Sequence, residues 1–390
     1  MTLVELLVAM VIGLGVTLAV TTLLVAGENH KRTTTSTNDA DQTGTYAFNS
    51  LDRVLRGSGS AFAQSAVLTG TGVLGCRLNA AGFLPRAGAF PAPFNAFLGG
   101  APSNLRVAPV LIGWNQSPDG KSDVILTMGG SGVAGGVSRQ VTGTGGGNTV
   151  TLDNTVGFTT PANATSGDLL LISQNGYTDC LLEQVTGLTT STLTLGNGTY
   201  YTSGTTTPLS TFTGSTSSYV TPLGNAAVNN IQFLLFGVDA SHTLYSYDLL
   251  QNQNLWLGQG TDMAQPISGG VYQLHAIYGI DTTGTGVQGG WAGPNDAGYD
   301  PTTVMSTAAT MRKIVSIRVS LLVRGDYYDK NVVAPTQIVL FSGLGNSINN
   351  LNLSQTITLG TTDPTELHYR YRLFEFTVPL RNMILLAGGP

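Results

Sequence analysis

The sequence predicts an α+β protein: one long apolar N-terminal helix joined to a large, antiparallel β-rich head that carries an extra β-subdomain. Three observations predict it. No charged residue occurs from Leu6 to Gly27. Charged residues make up only 10% of the 390-residue chain, while Gly numbers 51 and Thr, Ser and Asn are abundant; a typical soluble domain is about one quarter charged. The C-terminal third holds the strongest alternating apolar patterns, the mark of half-buried strands.

The helix comes first. At about 1.5 Å per residue, Leu6–Gly27 makes roughly 33 Å of helix, enough to cross a hydrocarbon core of about 30 Å. Glu5 stands at its edge, where an acid inside a bilayer costs about 2.5–3.5 kcal/mol without a partner. Its other account is a helix N-terminal acid favoured by the macrodipole. Gly13 and Gly15 each lower helix propensity by about 1 kcal/mol relative to Ala, which predicts local melting near 13–17. A polar Thr-rich passage leads to Asp39, and Ala47, Leu51, Val54 and Leu55 then recur at i, i+4, i+7 and i+8. That stripe predicts one long, interrupted helix over about 1–56, ending at Gly57-Ser-Gly59, with its second half packed by one face on the head. Charge topology adds an expectation. Lys31 and Arg32 follow the apolar run and no Lys or Arg precedes it. With Met1 as initiator, this would hold the rest of the chain in the cytoplasm, against a low-charge composition of extracellular kind. A lost basic leader, with Met1 as the mature N-terminus, resolves the conflict, and the run also lacks the charged n-region of an ordinary signal peptide.

Beyond residues 1–57, four further regions are expected. Residues 58–120, rich in Gly, Pro and Ala, read as a loop-rich part of the head. Residues 121–201 read as a β-rich subdomain, with strands at Ser122–Met128 and Asp168–Ser173. An internal echo lies within it: Val141-Thr-Gly143 leads into Thr149–Asn154, and Val185-Thr-Gly187 into Thr192–Asn197. Two related hairpins would explain it, as would chance in a Thr/Gly-rich chain. Residues 202–219 read as a Thr/Ser/Gly-rich connector or long surface loop. Residues 220–390 read as the C-terminal sheet of the head, with strands at 230–236, 314–323 and 369–378. In the second of these, Val315, Ile317, Val319 and Leu321 alternate with Ser316, Arg318 and Ser320, a half-buried pattern. Cys76 and Cys180 are compatible with one disulfide in an oxidising compartment; two buried thiols are the alternative.

The search for chemistry finds no catalytic constellation and no cofactor site. G-x-G-x-x-G occurs at 70–75, 130–135 and 284–289, each without the strand-to-helix setting and downstream acid of a dinucleotide site. The four histidines are widely separated, with no metal-ligand spacing. Asp281, Asp296 and Asp300 lie in a Gly-rich stretch and form a weak Ca²⁺ candidate, against the simpler reading of a solvated turn. Arg370 and Arg372 fall on one face of a strand, with Arg381 nearby in sequence. They are expected to pair with carboxylates such as Glu366 or Glu375 at subunit contacts. Nucleic acid is not expected as a partner, because the net charge of −5 offers it no global attraction.

Thr2-Leu3-Val4-Glu5-Leu6, followed by an apolar helix, resembles the processed N-terminus of type IV pilins and type II secretion pseudopilins, with a class III-type methylation motif. Position 1 in that family is most often Phe; here it is Met1, and Thr22 stands where many type IV pilins have a proline. Blocks at Gln265–Asp281, Ile317–Arg324 and Arg372–Asn382, with Ser122–Val124 and Gly167–Ser173, are similar to PilW-like minor pilins. The resemblance implies a lollipop shape and processing by a prepilin peptidase, leaving Met1 as a methylated N-terminus. It implies that the Met1 amine neutralises Glu5 of a neighbouring or its own subunit, and that Gly13 and Gly15 give the helix flexibility. Its implied partners are copies of itself, other pilins, the assembly machinery and a tip adhesin. Its implied location is the inner membrane of a Gram-negative-type bacterium, then an extracellular filament. Within that reading stand an assembly-priming minor pilin and a principal filament subunit; the alternatives are a type II secretion pseudopilin and a tethered adhesin or receptor.

Overall fold

A computed structural model describes residues 2–61, 73–78, 90–99, 105–130, 137–143, 145–162, 166–174, 176–196, 208–225, 231–250, 264–301, 308–349 and 351–387. The chain is α+β, with a single N-terminal helix, α1 (Leu3–Gly57, 55 residues), standing out from a β-rich antiparallel head. At 1.5 Å per residue, α1 is about 82 Å long. It runs without the expected interruption: Gly13 and Gly15 lie inside it, and each would leave an added Cβ in open space. Thr17 Oγ1 donates to Gly13 O at 2.9 Å and Thr21 Oγ1 to Thr17 O at 3.0 Å. These back-bonds to carbonyls one turn earlier satisfy the hydroxyls inside an apolar sleeve. The helix ends where expected, with Gly57 followed by a Ser58 cap and a left-handed Gly59 at φ 78°.

The two halves of α1 differ completely. Every described side chain from Thr2 to Arg32 is exposed. From Ser36 onward one face is covered, and Ser36, Ala40, Ala47, Leu51 and Leu55 are buried at spacings of four and seven. The predicted stripe is therefore the docking face. It rests on a sheet ordered β16 (Gly290–Ala292), β15 (Val271–Ile280), β17 (Ile314–Arg324), β20 (Tyr371–Pro379), antiparallel throughout. β20 runs alongside α1 in the same direction. Arg370 meets Thr33, Arg372 meets Asp41, Phe374 meets Gly44 and Phe376 meets Phe48. Fifteen helical residues rise about 22 Å and six strand residues about 20 Å, so the two ladders stay in step. The small helix α3 (Arg381–Ala387) closes the seam, with Asn382 Nδ2 donating to Ser58 O at 2.9 Å.

A second sheet is ordered β14 (Gln265–Gly269), β13 (Thr243–Asp248), β12 (Gln232–Val238), β4 (Val124–Gly129), β3 (Val110–Gly113). It joins strands from both halves of the sequence, Phe236 facing Ile125 across β12 and β4. The main core fills the space between these two sheets and α1.

A third sheet, β5 (Arg139–Gln140), β11 (Ser218–Gly224), β7 (Leu169–Gln174), β8 (Cys180–Gln184), divides two cores. Leu169, Leu171 and Leu182 face the main core, while Leu170, Ile172 and Leu181 face a smaller one with Val150, Leu193 and Phe212. Burial on both faces explains the unbroken Leu-Leu-Leu-Ile run. The smaller core is roofed by β6 (Thr149–Thr151), β10 (Thr192–Thr194) and β9 (Gly187–Leu188). Here the sequence echo takes physical form. Gly143 bridges to Thr151 and Gly187 pairs with Thr194, making two like hairpins, and their inner strands pair with each other through Leu193 and Val150. The flanking bonds match as well: Leu152 N donates to Ser191 O and Leu195 N to Asn148 O.

Two expectations are corrected. Within 202–219, residues 208–219 are described and are not loose: α2 (Leu209–Thr213) buries Leu209, Phe212 and Thr213, and β11 opens at Ser218. The spacing i, i+3, i+4 supplies an apolar face that a reading of composition overlooks. β17 is buried on both faces, with Ser316 and Ser320 covered too. A third cluster, Tyr272, Ile277, Leu322, Leu340, Phe341 and Ile357, packs on its other side, capped by the hairpin β18 (Gln337–Leu340) and β19 (Gln355–Thr358).

Residues 58–120 are tied in covalently. Cys76 and Cys180 are joined, beside the short pair β1 (Arg77–Leu78) and β2 (Leu105–Arg106). Arg77 reinforces the tie with two bonds to Asp179, at 2.5 and 2.9 Å.

The seam makes a testable prediction. A Cβ at Gly44 would lie 2.0 Å from the Phe374 ring. Gly44→Val should lower the thermal midpoint of the full chain in detergent, by the equivalent of about 1–3 kcal/mol. The loss should shrink when Phe374→Ala is made with it, because the two sites share one space. Strict additivity of the two losses would show that helix and strand do not pack there.

Candidate functional site

The N-terminus of α1 is built by four residues. Thr2 is the N-cap; its backbone N–H donates to Glu5 Oε2 at 2.8 Å, and Glu5 N–H donates to Thr2 Oγ1 at 3.4 Å. This reciprocal capping box satisfies two of the orphan donors at the helix start. Attention to Glu5 alone overlooks Thr2 as its capping partner, and the signal was present as Thr-x-x-Glu ahead of an apolar run. One oxygen of Glu5 is thus engaged within its own chain, as an N-terminal acid. Met1 lies outside the described residues, so its expected pairing with Glu5 does too.

From Leu3 to Val25, fifteen large apolar side chains are exposed. α1 is the one helix among the described residues long and apolar enough to cross a membrane, and none of its apolar window is covered by the head. Covering a large apolar side chain is worth about 1.5–3 kcal/mol. The uncovered sleeve therefore represents on the order of 20 kcal/mol, more than the roughly 5–15 kcal/mol that separates folded from unfolded domains.

The basic residues of the C-terminal strand are spoken for, though not by the expected partners. Arg370 binds Asp329 at 3.1 Å and Thr33 at 3.2 Å, and Arg372 lies 3.5 Å from Asp41. Glu375 instead takes Arg318 at 2.9 Å and the Phe341 N–H, and Glu366 accepts from Tyr272. These contacts lie within one chain, binding β20 to α1 and to the third cluster.

The three candidate Ca²⁺ aspartates do not converge on one site. Asp281 is buried and accepts from the N–H groups of Thr283, Gly284 and Gly286 at 2.6–2.8 Å, pinning the 281–289 loop. Asp296 accepts from Gly293 N, Asn346 Nδ2 and Asn349 Nδ2. Asp300 N donates to Asp296 O. Among the described residues, no group of three or more His, Cys, Asp or Glu side chains is placed to hold a metal. The carboxylates of Asp281 and Asp296 fold loops, as acceptors of N–H donors.

The head also contains a polar cleft of about 600 Å³. It is lined by Trp114 and Lys121 from the turn between β3 and β4, by His275 and Tyr272 of β15, and by Asp296 and Asn349. His275 is buried, with Nε2 3.2 Å from Gln273 Oε1 and Nδ1 3.7 Å from Asp123 Oδ2. Asp123 in turn accepts from Asn115 N and Ala276 N, both at 2.9 Å.

Asp281 gives a pH prediction. Burial alone would raise its carboxyl, but the N–H donors of Gly286, Thr283 and Gly284 and the Thr283 hydroxyl outweigh it and hold the pKa below the ordinary carboxylate range. A depressed folded pKa stabilises the fold above the unfolded value, and that contribution is lost as pH falls through the folded value. Asp281→Asn should therefore unfold at a lower temperature than wild type at pH 7. The gap should close as pH drops below about 4, whereas a gap independent of pH would contradict the role given to the charge.

The family model described as type IV pilus-assembly protein W matches residues 227–382. That span runs from just before β12 to the start of α3 and includes the seam strand β20 and the blocks at 265–281, 317–324 and 372–382. No curated protein matches the sequence. Among solved structures, a type IV-like pilin from Thermus thermophilus is 10% identical, with 56% of this chain and 86% of that chain covered and a TM-score of 0.23. The match spans 156 of the 390 residues and rests on the strands that hold α1; over that span the chain is similar to type IV pilus-assembly protein W.

Proposed function

We propose that the chain is a structural subunit of a type IV pilus or pilus-like extracellular filament, polymerising through α1. One observation carries this reading. The first half of α1 is continuous, apolar and uncovered, while the second half is locked to the head along β20. A surface worth on the order of 20 kcal/mol needs a cover, and lipid before assembly and neighbouring α1 helices afterwards supply one in turn. The open space around Gly13 and Gly15 suits close approach of a second helix, or local bending during assembly.

Glu5 has a part in the same scheme. Its Oε2 is held by Thr2, which fixes the carboxylate at the helix tip, where the Met1 amine of a neighbouring subunit neutralises it. Processing by a prepilin peptidase and methylation of Met1 belong to this reading, as do other pilins, the assembly machinery and a tip adhesin as partners. So does an inner-membrane origin in a Gram-negative-type bacterium. Assembly-priming minor pilin and principal subunit are both roles within it, and its character is structural rather than enzymatic. The polar cleft favours a second reading, a tethered adhesin or receptor whose head does the binding.

Glu5→Ala separates the two. Leaving one member of a buried charge pair unpaired costs about 3–5 kcal/mol, so incorporation of the variant into filaments should fall a hundredfold or more, with its membrane level unchanged. Normal incorporation would overturn the polymerisation reading and leave the tethered receptor.

A further inference from the structure

We infer that the loop from Gly325 to Val332 is a membrane-interface contact, seating the head on the lipid headgroup layer before assembly. The inference rests on the reading of α1 as a membrane anchor, and adds to it a second point of attachment carried by the head itself.

Every described side chain of α1 from Thr2 to Arg32 is exposed, and Thr33 and Ser36 are where the head first meets the helix. Both contacts involve this loop. A Cβ on Gly325 would lie 2.2 Å from Ser36 Oγ, so helix and loop touch backbone to side chain. Arg370 donates both to Thr33 Oγ1, at 3.2 Å, and to Asp329 Oδ2, at 3.1 Å, clamping the loop to that turn of α1. β20 then climbs the helix away from this point, so the loop is the end of the head nearest the apolar segment.

Distance places that end. Six residues separate Gly27, the last of the uncharged run, from Thr33, a rise of about 9 Å. The polar layer outside the hydrocarbon is about 5–7 Å thick on each side, and a tilted helix brings the loop closer. In an upright helix Thr33 thus lies about 2–4 Å beyond that layer, and tilt of the anchor carries the loop into it.

Chemistry agrees with position. Tyr327 is 46% exposed, Tyr328 50% and Val332 61%. Tyr328 is held by a stack on His368, centroids 4.9 Å apart, and by an edge contact with Tyr369, whose ring lies beneath the Arg324 guanidinium at 4.5 Å. Ordered, half-exposed tyrosines beside an apolar residue are what the interfacial belt of membrane proteins uses, an apolar ring with a polar tip. Lys330 of the loop and Lys31 of the helix are exposed at the same level, where cations favour an anionic leaflet by about 1 kcal/mol each. Arg32 is partly spent on Glu28, and Asp326 is the exposed carboxylate of the loop.

The test uses the full chain in vesicles of phosphatidylcholine and phosphatidylglycerol, with the native disulfide intact. Single cysteines carrying an environment-sensitive fluorophore are placed by Leu18→Cys, Tyr327→Cys and Arg53→Cys, and quenching by lipids with spin labels at the headgroup or mid-chain is recorded. Position 53 lies about 39 Å beyond Gly27 along the same helix and reports bulk water. The expected result is mid-chain quenching at 18, headgroup quenching at 327 at least threefold above that at 53, and none beyond background at 53. Quenching at 18 with position 327 no different from 53 would overturn the inference and leave the anchor standing. Absence of quenching at 18 would overturn the anchor reading and this inference together.

Discussion

The structure depends on a surface that the chain cannot cover by itself. α1 is about 82 Å long, and the head lies along its second half only. A folded domain normally hides its most apolar helix; here the most apolar segment is the one left out. Self-sufficiency ends at Thr33. Above it the helix belongs to the head, and below it the helix belongs to whatever surrounds it, lipid or other helices.

The head is built to hold its half of that helix rigidly. β20 keeps step with α1, six strand residues rising beside fifteen of the helix, and small residues at Ser36, Ala40, Gly44 and Ala47 bring backbone and sheet together. Behind β20, β17 is packed on both faces, so the seam strand cannot swing away without opening two cores. The β-subdomain is fixed in turn through the sheet of β7 and β8, whose alternate residues belong to different cores, and through the Cys76–Cys180 bond. A force applied to the helix is therefore passed through the seam, the sheets and the disulfide to the described parts of the head.

Much of this was legible in the residues, where the controlling interactions are local. The uncharged run, the stripe at Ala47, Leu51 and Leu55, and the stop at Gly57-Ser58-Gly59 are short-range patterns, and α1 follows them. The hairpins at 143–151 and 187–194 were visible as an echo for the same reason. What escaped was long-range. Nothing near Arg370 or Arg372 in sequence points to Asp329 or Asp41, because those partners arrive only when β20 lies on the helix. Ser316 and Ser320 read as solvent-facing until distant segments cover that face of β17, Ser316 donating to Gln288 Oε1 at 2.6 Å. Of the site residues, Glu5 was conspicuous as a lone charge. Thr2, its capping partner, was hidden by being ordinary, and the Gly325–Val332 loop became visible only once Ser36 and Arg370 placed it on the helix.

The central claim is that the apolar half of α1 is covered by other copies of the same fold in a filament. Its most direct test is electron microscopy of filaments sheared from the cell surface, joined to intact mass spectrometry of their protein. The account predicts filaments containing this chain, beginning at Met1 with one added methyl group, as the main component or as a trace beside a smaller pilin. A chain confined to the membrane fraction, absent from every filament, would contradict it.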